Sequence, residues 1–557
     1  MAQKMAESGA PTSMSKRALL AGAAASITLA AAGAFSMRAF AKPAGPLPTL
    51  ERLRAVDVGA YPSLSRTELG LLAYQYRKAT AKADDWSLWE PGRTFDGAPG
   101  IMGIEDEGTQ YDLFVSASAV ANAVNKTPAY REFAETVLGG ICEKGFDDRC
   151  WRYWTESTSG SGNNGIFMPY SPDPVPNADA MYIGNMGGAL SLYALMTDSR
   201  RFDEPRDFIY RGPGVEFAGQ KVRTGTTWRH NWTDIVDSVT RQIDGSEKRM
   251  VMCQIPTVYF MCNLSIAQTI LGYDRVMGTN RAKTLYREDG FFDRNGETMF
   301  VPPRSSGKPP TSVTFGQKQI DGQWIATPDS ALGDLFLTFG LYPTKPDWAH
   351  DTYEMSRRKW MIEEADGTAS WSAEVAGMQG SPAMKAGATM AGAVGASFVG
   401  DKATRARTLE YIEREYGPTW DGDMLVYKSV YEKSEDYLRA GGMQGCMLQV
   451  YSTADGCKLA DFDIDRARFR EPTVVDASFP DVKVSRATFD RNASALIVSL
   501  AAARDTSFRV TNLAPETEVV VLRDREIVQR ARVPEGPGGV RIPVKAGTHD
   551  LVIGVQV

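Results

Sequence analysis

MCQIPTVYFMCNLS, residues 252 to 265, is the stretch on which the reading of this chain turns. Its two cysteines, Cys253 and Cys262, stand nine positions apart. On an unbroken helix of about 3.6 residues per turn that is some two and a half turns, which points the thiols in opposite directions. Pro256 lies between them, and proline is tolerated only in the first turn of a helix. The spacing therefore predicts a helix that starts at Pro256 and runs to about Met277. Cys253 then sits in the preceding connection and Cys262 on the second turn. A loop thiol can fold back towards a helix thiol in this arrangement, and helix N-termini are where thiols gain acid/base character. Two buried structural cysteines, or a disulfide, are the plain alternatives.

Outward from this stretch, helical periodicity recurs along the chain. It predicts helices over Thr67–Lys82, Gln110–Asn125, Pro128–Gly139, Asp179–Thr197, Thr233–Ile243, Pro256–Met277, Asn280–Asp289, Asp329–Gly340, Asp347–Trp360, Ala386–Phe398, Lys402–Tyr416 and Tyr437–Tyr451. Loops carry Gly, Pro and Asn, as in SGSGNNG (159–165) and PPRSSGKPP (302–310). Several helices are apolar around most of their circumference, which suits an inner layer. Twelve such helices without strands between them fit an (α/α)6 barrel over residues 42–460, six inner helices surrounding a cavity.

After Leu459 the texture changes to short β-rich runs: Thr473–Val475, Ala493–Leu500, Ser507–Thr511, Glu518–Leu522, Gly539–Pro543 and His549–Val557. They predict a small antiparallel β-sandwich over residues 461–557, a packing or accessory module. At the other end, Lys16-Arg17 precede the uncharged run ALLAGAAASITLAAAGAF, followed by Ala39-Phe40-Ala41. This is the pattern of a secretory signal over residues 1–41 and predicts a periplasmic or secreted protein. A retained membrane anchor facing the periplasm is the alternative, because the run approaches spanning length.

The 557 residues carry a net charge of −6 and are 43% hydrophobic and 23% charged, figures of a folded globular protein with room for two domains. So mild a charge gives no reason to expect nucleic acid. Six cysteines in an exported chain invite disulfides, and Cys142–Cys150 and Cys446–Cys457 are the pairs close enough in sequence. Cys253 and Cys262 are expected to stay reduced. The three histidines are scattered without carboxylate or thiol neighbours at ligand spacing, so neither a metal site nor a Ser/His/Asp triad is expected. No glycine-rich phosphate loop follows a strand, and no cofactor is implied.

The motif Cys253, then YF-x-CN-S, then YDR-x-x-GT resembles the linalool dehydratase/isomerase family. So does MYIGNMGGALSLYALMTDSRRF at residues 181–202, and more weakly YDLFVSASAVANAV from Tyr111 and CWRYW from Cys150. The resemblance implies an (α/α)6 barrel, cofactor-free chemistry and a ring-shaped homo-oligomer, a pentamer in the family. It implies acid/base roles for Cys253 and Cys262, a hydroxyl-binding role for Tyr111 and a pocket role for Met181. Where the family has histidine this chain has Asn185, which can hydrogen-bond but cannot titrate. The family's N-terminal Asp and Tyr, contributed by a neighbouring subunit, have no clean counterpart; Asp84 and Asp85 lie in the corresponding region.

Dehydrating a tertiary or allylic alcohol needs an acid for the departing hydroxyl, a base for an adjacent C–H proton and an apolar pocket. Two thiols in different environments can serve as the pair. Met181, Tyr182, Phe114, Phe260 and Trp324 are the residues expected to wall the pocket, tolerating developing positive charge. The reading is thus a lyase acting on a small isoprenoid alcohol or alkene. The rival is a carbohydrate-active (α/α)6-barrel glycosidase or polysaccharide lyase, drawing a carboxylate pair from Glu105, Asp106, Glu107, Asp112, Asp329, Asp334 and Glu374. A non-catalytic exported scaffold is the third class.

Overall fold

The computed structural model describes residues 46–89, 107–152, 173–176, 180–217, 220–246, 249–253, 257–286, 316–320, 323–326, 330–374, 382–427, 441–459, 462–536 and 538–556. The signal segment expected at 1–41 lies outside them. Within the described residues no helix is long and apolar enough to cross a membrane.

Twelve α-helices are present among these residues: α1 Leu50–Arg54, α2 Arg66–Thr80, α3 Glu107–Val124, α4 Arg131–Gly145, α5 Ala180–Thr197, α6 Trp232–Gly245, α7 Phe260–Met277, α8 Ala331–Leu341, α9 Pro346–Trp360, α10 Pro382–Val399, α11 Lys402–Tyr416 and α12 Gly441–Ser452. Local chemistry starts several of them. Ser65 and Glu68 form a reciprocal capping box on α2, as Asn231 and Asp234 do on α6. Proline occupies the first turn of α9.

Six of the helices touch in a closed cycle, α3–α5–α7–α8–α10–α12 and back to α3. Five others lie against this cycle: α2 on α3 and α12, α4 on α3 and α5, α6 on α5 and α7, α9 on α8 and α10, and α11 on α10. Sequence pattern follows position. Every residue of α5 is buried, so that helix has no polar face to show water. On the peripheral α6 only one stripe is apolar and buried, Trp232, Ile235, Val236, Val239 and Ile243.

Two helical expectations are corrected. No helix begins at Pro256: Thr257–Tyr259 is a strand paired antiparallel with Gly316–Lys318, and α7 starts at Phe260. The β-branched Thr257 and Val258 and the aromatic Tyr259 favour extended backbone once a partner strand is available. Cys262 therefore lies in the first turn of α7. Residues 281–286 form a 3-10 segment rather than an α-helix, its first N–H groups taken by the Asp274 carboxylate. Short antiparallel hairpins also lie between the helices, for example Arg206–Ile209 with Thr227–His230 and Thr419–Asp421 with Met424–Val426, where none was expected.

After residue 472 the chain is antiparallel sheet: β1 Thr473–Val475, β2 Val482–Asp490, β3 Ala495–Ala502, β4 Thr506–Thr511, β5 Glu518–Arg523, β6 Glu526–Arg532, β7 Val540–Val544 and β8 Gly547–Val555. One sheet has the order β1-β4-β7 and the other β2-β3-β8-β5-β6. Val484, Val498, Phe508, Ile542 and Ile553 belong to one continuous core with the helices. The other face of the five-stranded sheet is covered by α1, where Leu53 packs with Ile497, Val520 and Val552. The helical and sheet regions are stitched by backbone bonds, Ala129 N–H to Ala487 O at 3.0 Å and Val474 N–H to Ala129 O at 2.8 Å.

Candidate functional site

The N-terminal turns of α3, α5 and α7 carry Tyr111, Met181 with Asn185, and Cys262. Cys253 lies in the connection ahead of α7. Asn263, next to Cys262, accepts from the Val251 N–H at 2.8 Å and donates to the Val251 carbonyl at 3.0 Å and to the Tyr259 carbonyl at 2.9 Å. One amide thus folds the Cys253 segment back onto the first turn of α7. On the far side, the Met252 carbonyl accepts from the Ala180 N–H at 3.1 Å, tying the same segment to the start of α5. Sequence reasoning quoted Asn263 inside its motif and assigned it no role.

Both thiols are buried, Cys253 at 1% exposure and Cys262 at 5%. None of the six cysteines is in a disulfide, so the suggested Cys142–Cys150 and Cys446–Cys457 bridges are not formed. Cys142 lies in the core, where burial pushes its thiol up, and Cys457, pushed up to about 12 by burial, donates to Asn122 Oδ1.

Helices α5 and α7 pack closely enough to fix this geometry. A Cβ on Gly184 would lie 2.5 Å from Ser265 Oγ and 3.1 Å from the Cys262 carbonyl oxygen. The Thr269 hydroxyl donates to Gly184 O at 3.1 Å, although Ser265 O competes for it at 2.8 Å, and Ser191 donates to Thr269 O at 3.0 Å. Across the α3–α5 seam, the Tyr111 hydroxyl donates to the Met181 sulfur. Phe114 is buried against Gly188. Asn185, one turn after Met181, is 5% exposed, and its side-chain N–H group finds no acceptor among the described residues.

The remaining expected residues fall elsewhere or differently. Tyr182 turns towards the peripheral layer: it is fully buried, donates to the Gly145 carbonyl at 2.8 Å and packs edge-on to Phe208. Phe260 is fully buried at the head of α7. Trp324 is on the strand Gln323–Ala326, opposite Gln319, and its side chain is outside the described residues. Asp84 and Asp85 are exposed in the loop after α2. Lys144 holds that loop by donating to the carbonyls of Lys82, Ala83 and Asp85. Asp85 is held below the usual carboxylate range by the Ser87 backbone N–H.

Two carboxylates weighed for a sugar-cleaving pair have internal partners. Asp112 is ion-paired with Lys78, and Asp334 accepts the Trp360 indole N–H at 2.6 Å. Glu105, Asp106 and Asp329 lie outside the described residues. Among the described residues no group of His, Cys, Asp and Glu is placed to hold a metal ion.

Cys262 in the first turn of α7, Cys253 on the segment clasped to it, and Tyr111, Met181 and Asn185 on the N-terminal turns of α3 and α5 make up the candidate site. The model of the linalool dehydratase/isomerase family matches residues 110–432, more than half of the chain, and the chain belongs to that family. Membership makes it an enzyme of the lyase/isomerase kind. No curated protein matches the chain. Among solved structures it is similar to an inactive variant of the alpha-1,6-mannanase GH76A of Salegentibacter sp. HEL1_6 in complex with alpha-1,6-mannotriose, at 10% identity, covering 70% of this chain and 99% of that one, with a TM-score of 0.37.

Proposed function

We propose that the protein is a hydro-lyase that removes water from, or adds it to, a tertiary or allylic isoprenoid alcohol, without a cofactor. The closed cycle of six helices is read as the inner layer of an (α/α)6 barrel, with the site at the N-terminal ends of α3, α5 and α7. The observation that carries the reading is the Asn263 clasp, which holds the Cys253 segment against the turn bearing Cys262. In the dehydration direction one thiol gives its proton to the departing hydroxyl, the C–O bond breaks and water leaves. The other sulfur, as thiolate, takes a proton from the neighbouring carbon, and that C–H pair becomes the new C=C bond. Run backwards, the same two transfers add water, and rebonding at the other allylic carbon shifts the hydroxyl.

Tyr111 and Asn185 hold the substrate oxygen. Met181, Phe114 and Phe260 supply apolar, polarisable surface, which disfavours competing nucleophiles around a cation-like intermediate. The exported location, the ring-shaped homo-oligomer and a role for Asp84 and Asp85 in a neighbouring subunit's pocket are parts of the same proposal.

The test is to incubate the mature protein with linalool, myrcene and short tertiary alkenols and read products by gas chromatography. Turnover that vanishes in Cys253→Ala and in Cys262→Ala, and survives in Cys142→Ala, supports the reading. Activity on a glycan that is indifferent to both cysteines refutes it.

A further inference from the structure

Lys78 on α2 and Asp112 on α3 form an ion pair with both side chains fully buried. Lys78 also donates to Ser116 Oγ at 2.8 Å, and Ser116 donates to Asp112 Oδ1 at 2.8 Å. The Trp89 ring covers the ammonium at 4.0 Å. Such a pair is poor value as a stabiliser, because desolvating two charges offsets most of their attraction, and apolar residues of like volume often do as well. What it supplies is direction, since its groups fit in one arrangement only.

The direction concerns Tyr111, the residue immediately before Asp112. Successive residues on a helix point about 100° apart. On α3, Phe114 meets Gly188 of α5, Val115 meets Gly445 of α12, and Asp112 and Ser116 meet α2. Tyr111 falls between the directions of Phe114 and Val115, on the side of α3 that faces between α5 and α12. A rotation of α3 that released Asp112 from Lys78 would carry Tyr111 off the Met181 sulfur.

We propose that the Lys78–Asp112–Ser116 cluster under Trp89 is a positioning device that sets the rotation of α3 and thereby aims the Tyr111 hydroxyl; it rests on reading Tyr111 as a pocket residue. Lys78, Ser116 and Trp89 act through Tyr111 and touch no substrate.

The experiment places 3-fluorotyrosine at position 111 and records its fluorine resonance in the full-length protein and in the double variant Lys78→Met/Asp112→Leu, which removes both charges together. The expected result is a variant that unfolds cooperatively at or above the parent temperature, with the resonance displaced and broadened. Where alcohol turnover is measurable, kcat falls about tenfold with KM little changed, as a small misplacement of a reacting group predicts. A folded double variant with an unmoved resonance overturns the proposal. Should the double variant not fold, Ser116→Ala removes two hydrogen bonds of the cluster, and an unchanged resonance there overturns it equally. The resonance needs no substrate, so absence of turnover in the parent protein sinks the lyase reading alone.

Discussion

The Asn263 side chain brackets Val251, accepting from its N–H at 2.8 Å and donating to its carbonyl at 3.0 Å. This is the pairing a neighbouring strand would make, supplied by one side chain from a helix. Asn263→Ala leaves buried backbone groups unpaired, each at about 1–3 kcal/mol. The expected loss is about 2–4 kcal/mol by urea denaturation, with turnover falling further than the loss of folded protein explains. Asn263→Asp keeps the acceptor but turns a buried carboxylate oxygen towards two carbonyls, so at neutral pH it should be at least as damaging as alanine. A variant as stable as the parent would remove the clasp from the argument.

The cysteines should differ sharply towards alkylation. The thiolate is the reacting form, so a raised thiol pKa and burial both slow the reaction. Cys457, pushed up to about 12, is thiolate in only about one molecule in ten thousand at pH 8. Cys142 is buried and pushed up in the same direction. Mass spectrometry of the native protein treated with iodoacetamide should find the half-buried Cys446 labelled first and Cys142 and Cys457 last. Early labelling of Cys142 would contradict its placement in the core.

Helices were legible because their signals are local. Ser65 with Glu68 and Asn231 with Asp234 announce their own N-termini, and α11 was placed residue for residue over Lys402–Tyr416. What escaped depends on partners far along the chain. Thr257–Tyr259 becomes a strand because of residues 316–318. The strand β6, EIVQRAR, is charged and mostly exposed, so its pattern does not alternate. Lys78 stands in the last turn of α2, where lysine is ordinarily exposed, and the partners that make its burial tolerable, Asp112 and Ser116, come 34 and 38 residues on. In the candidate site the cysteines, Tyr111 and Met181 could be named from motif residues, whereas the outward turn of Tyr182 and the clasp by Asn263 follow from the packing.

The connection between α1 and α2 should have a pH window of its own. Tyr61 donates to the Asp490 carboxylate at the end of β2. Burial raises Asp490, but the Tyr61 hydroxyl and the N–H groups of Ala493 and Asn492 outweigh it, and the net shift is down. Tyr61 is pushed up to about 12, first by burial and then by Asp490. A depressed carboxylate stabilises above its unfolded value and loses this as pH falls through the folded one. A raised phenol stabilises below its unfolded value of about 10 and loses this as pH rises towards 12. The Tyr61→Phe variant should therefore be less stable than the parent across the neutral range, with the gap narrowing at both extremes. Thermal melts at several pH values check the sign, and a gap that widens in acid would be the wrong result.

Gly184 is where α5 and α7 come closest beside the thiols. Alanine there would favour the helix by about 0.5–1 kcal/mol. Its Cβ, however, would stand 2.5 Å from Ser265 Oγ, 3.0 Å from Ile266 Cγ1 and 3.1 Å from the Cys262 carbonyl oxygen. Ser265 can rotate, but the carbonyl cannot move without α7. Overpacking of this kind costs about 1–3 kcal/mol, so Gly184→Ala should destabilise on balance and move Met181 relative to Cys262. Denaturation and turnover should both fall, and a variant more stable than the parent would show the seam to be looser than described.

Asn185 offers the clearest separation of stability from function. Its side chain is 5% exposed and its N–H group has no acceptor among the described residues. A buried donor left unmade costs about 1–3 kcal/mol, and a near-isosteric apolar side chain relieves that cost. Asn185→Leu should raise the free protein's stability by about 1 kcal/mol while turnover of the alcohol collapses, because the donor proposed to hold the substrate oxygen is gone. Asn185→Asp should do the opposite to stability, placing an unpaired carboxylate where the amide stood, and should be rescued in part at low pH as it takes up a proton. Calorimetry and gas chromatography on the same preparations decide the matter. If the leucine variant is less stable than the parent and turns over alcohol as fast, Asn185 is a packing residue and the substrate's oxygen is held elsewhere.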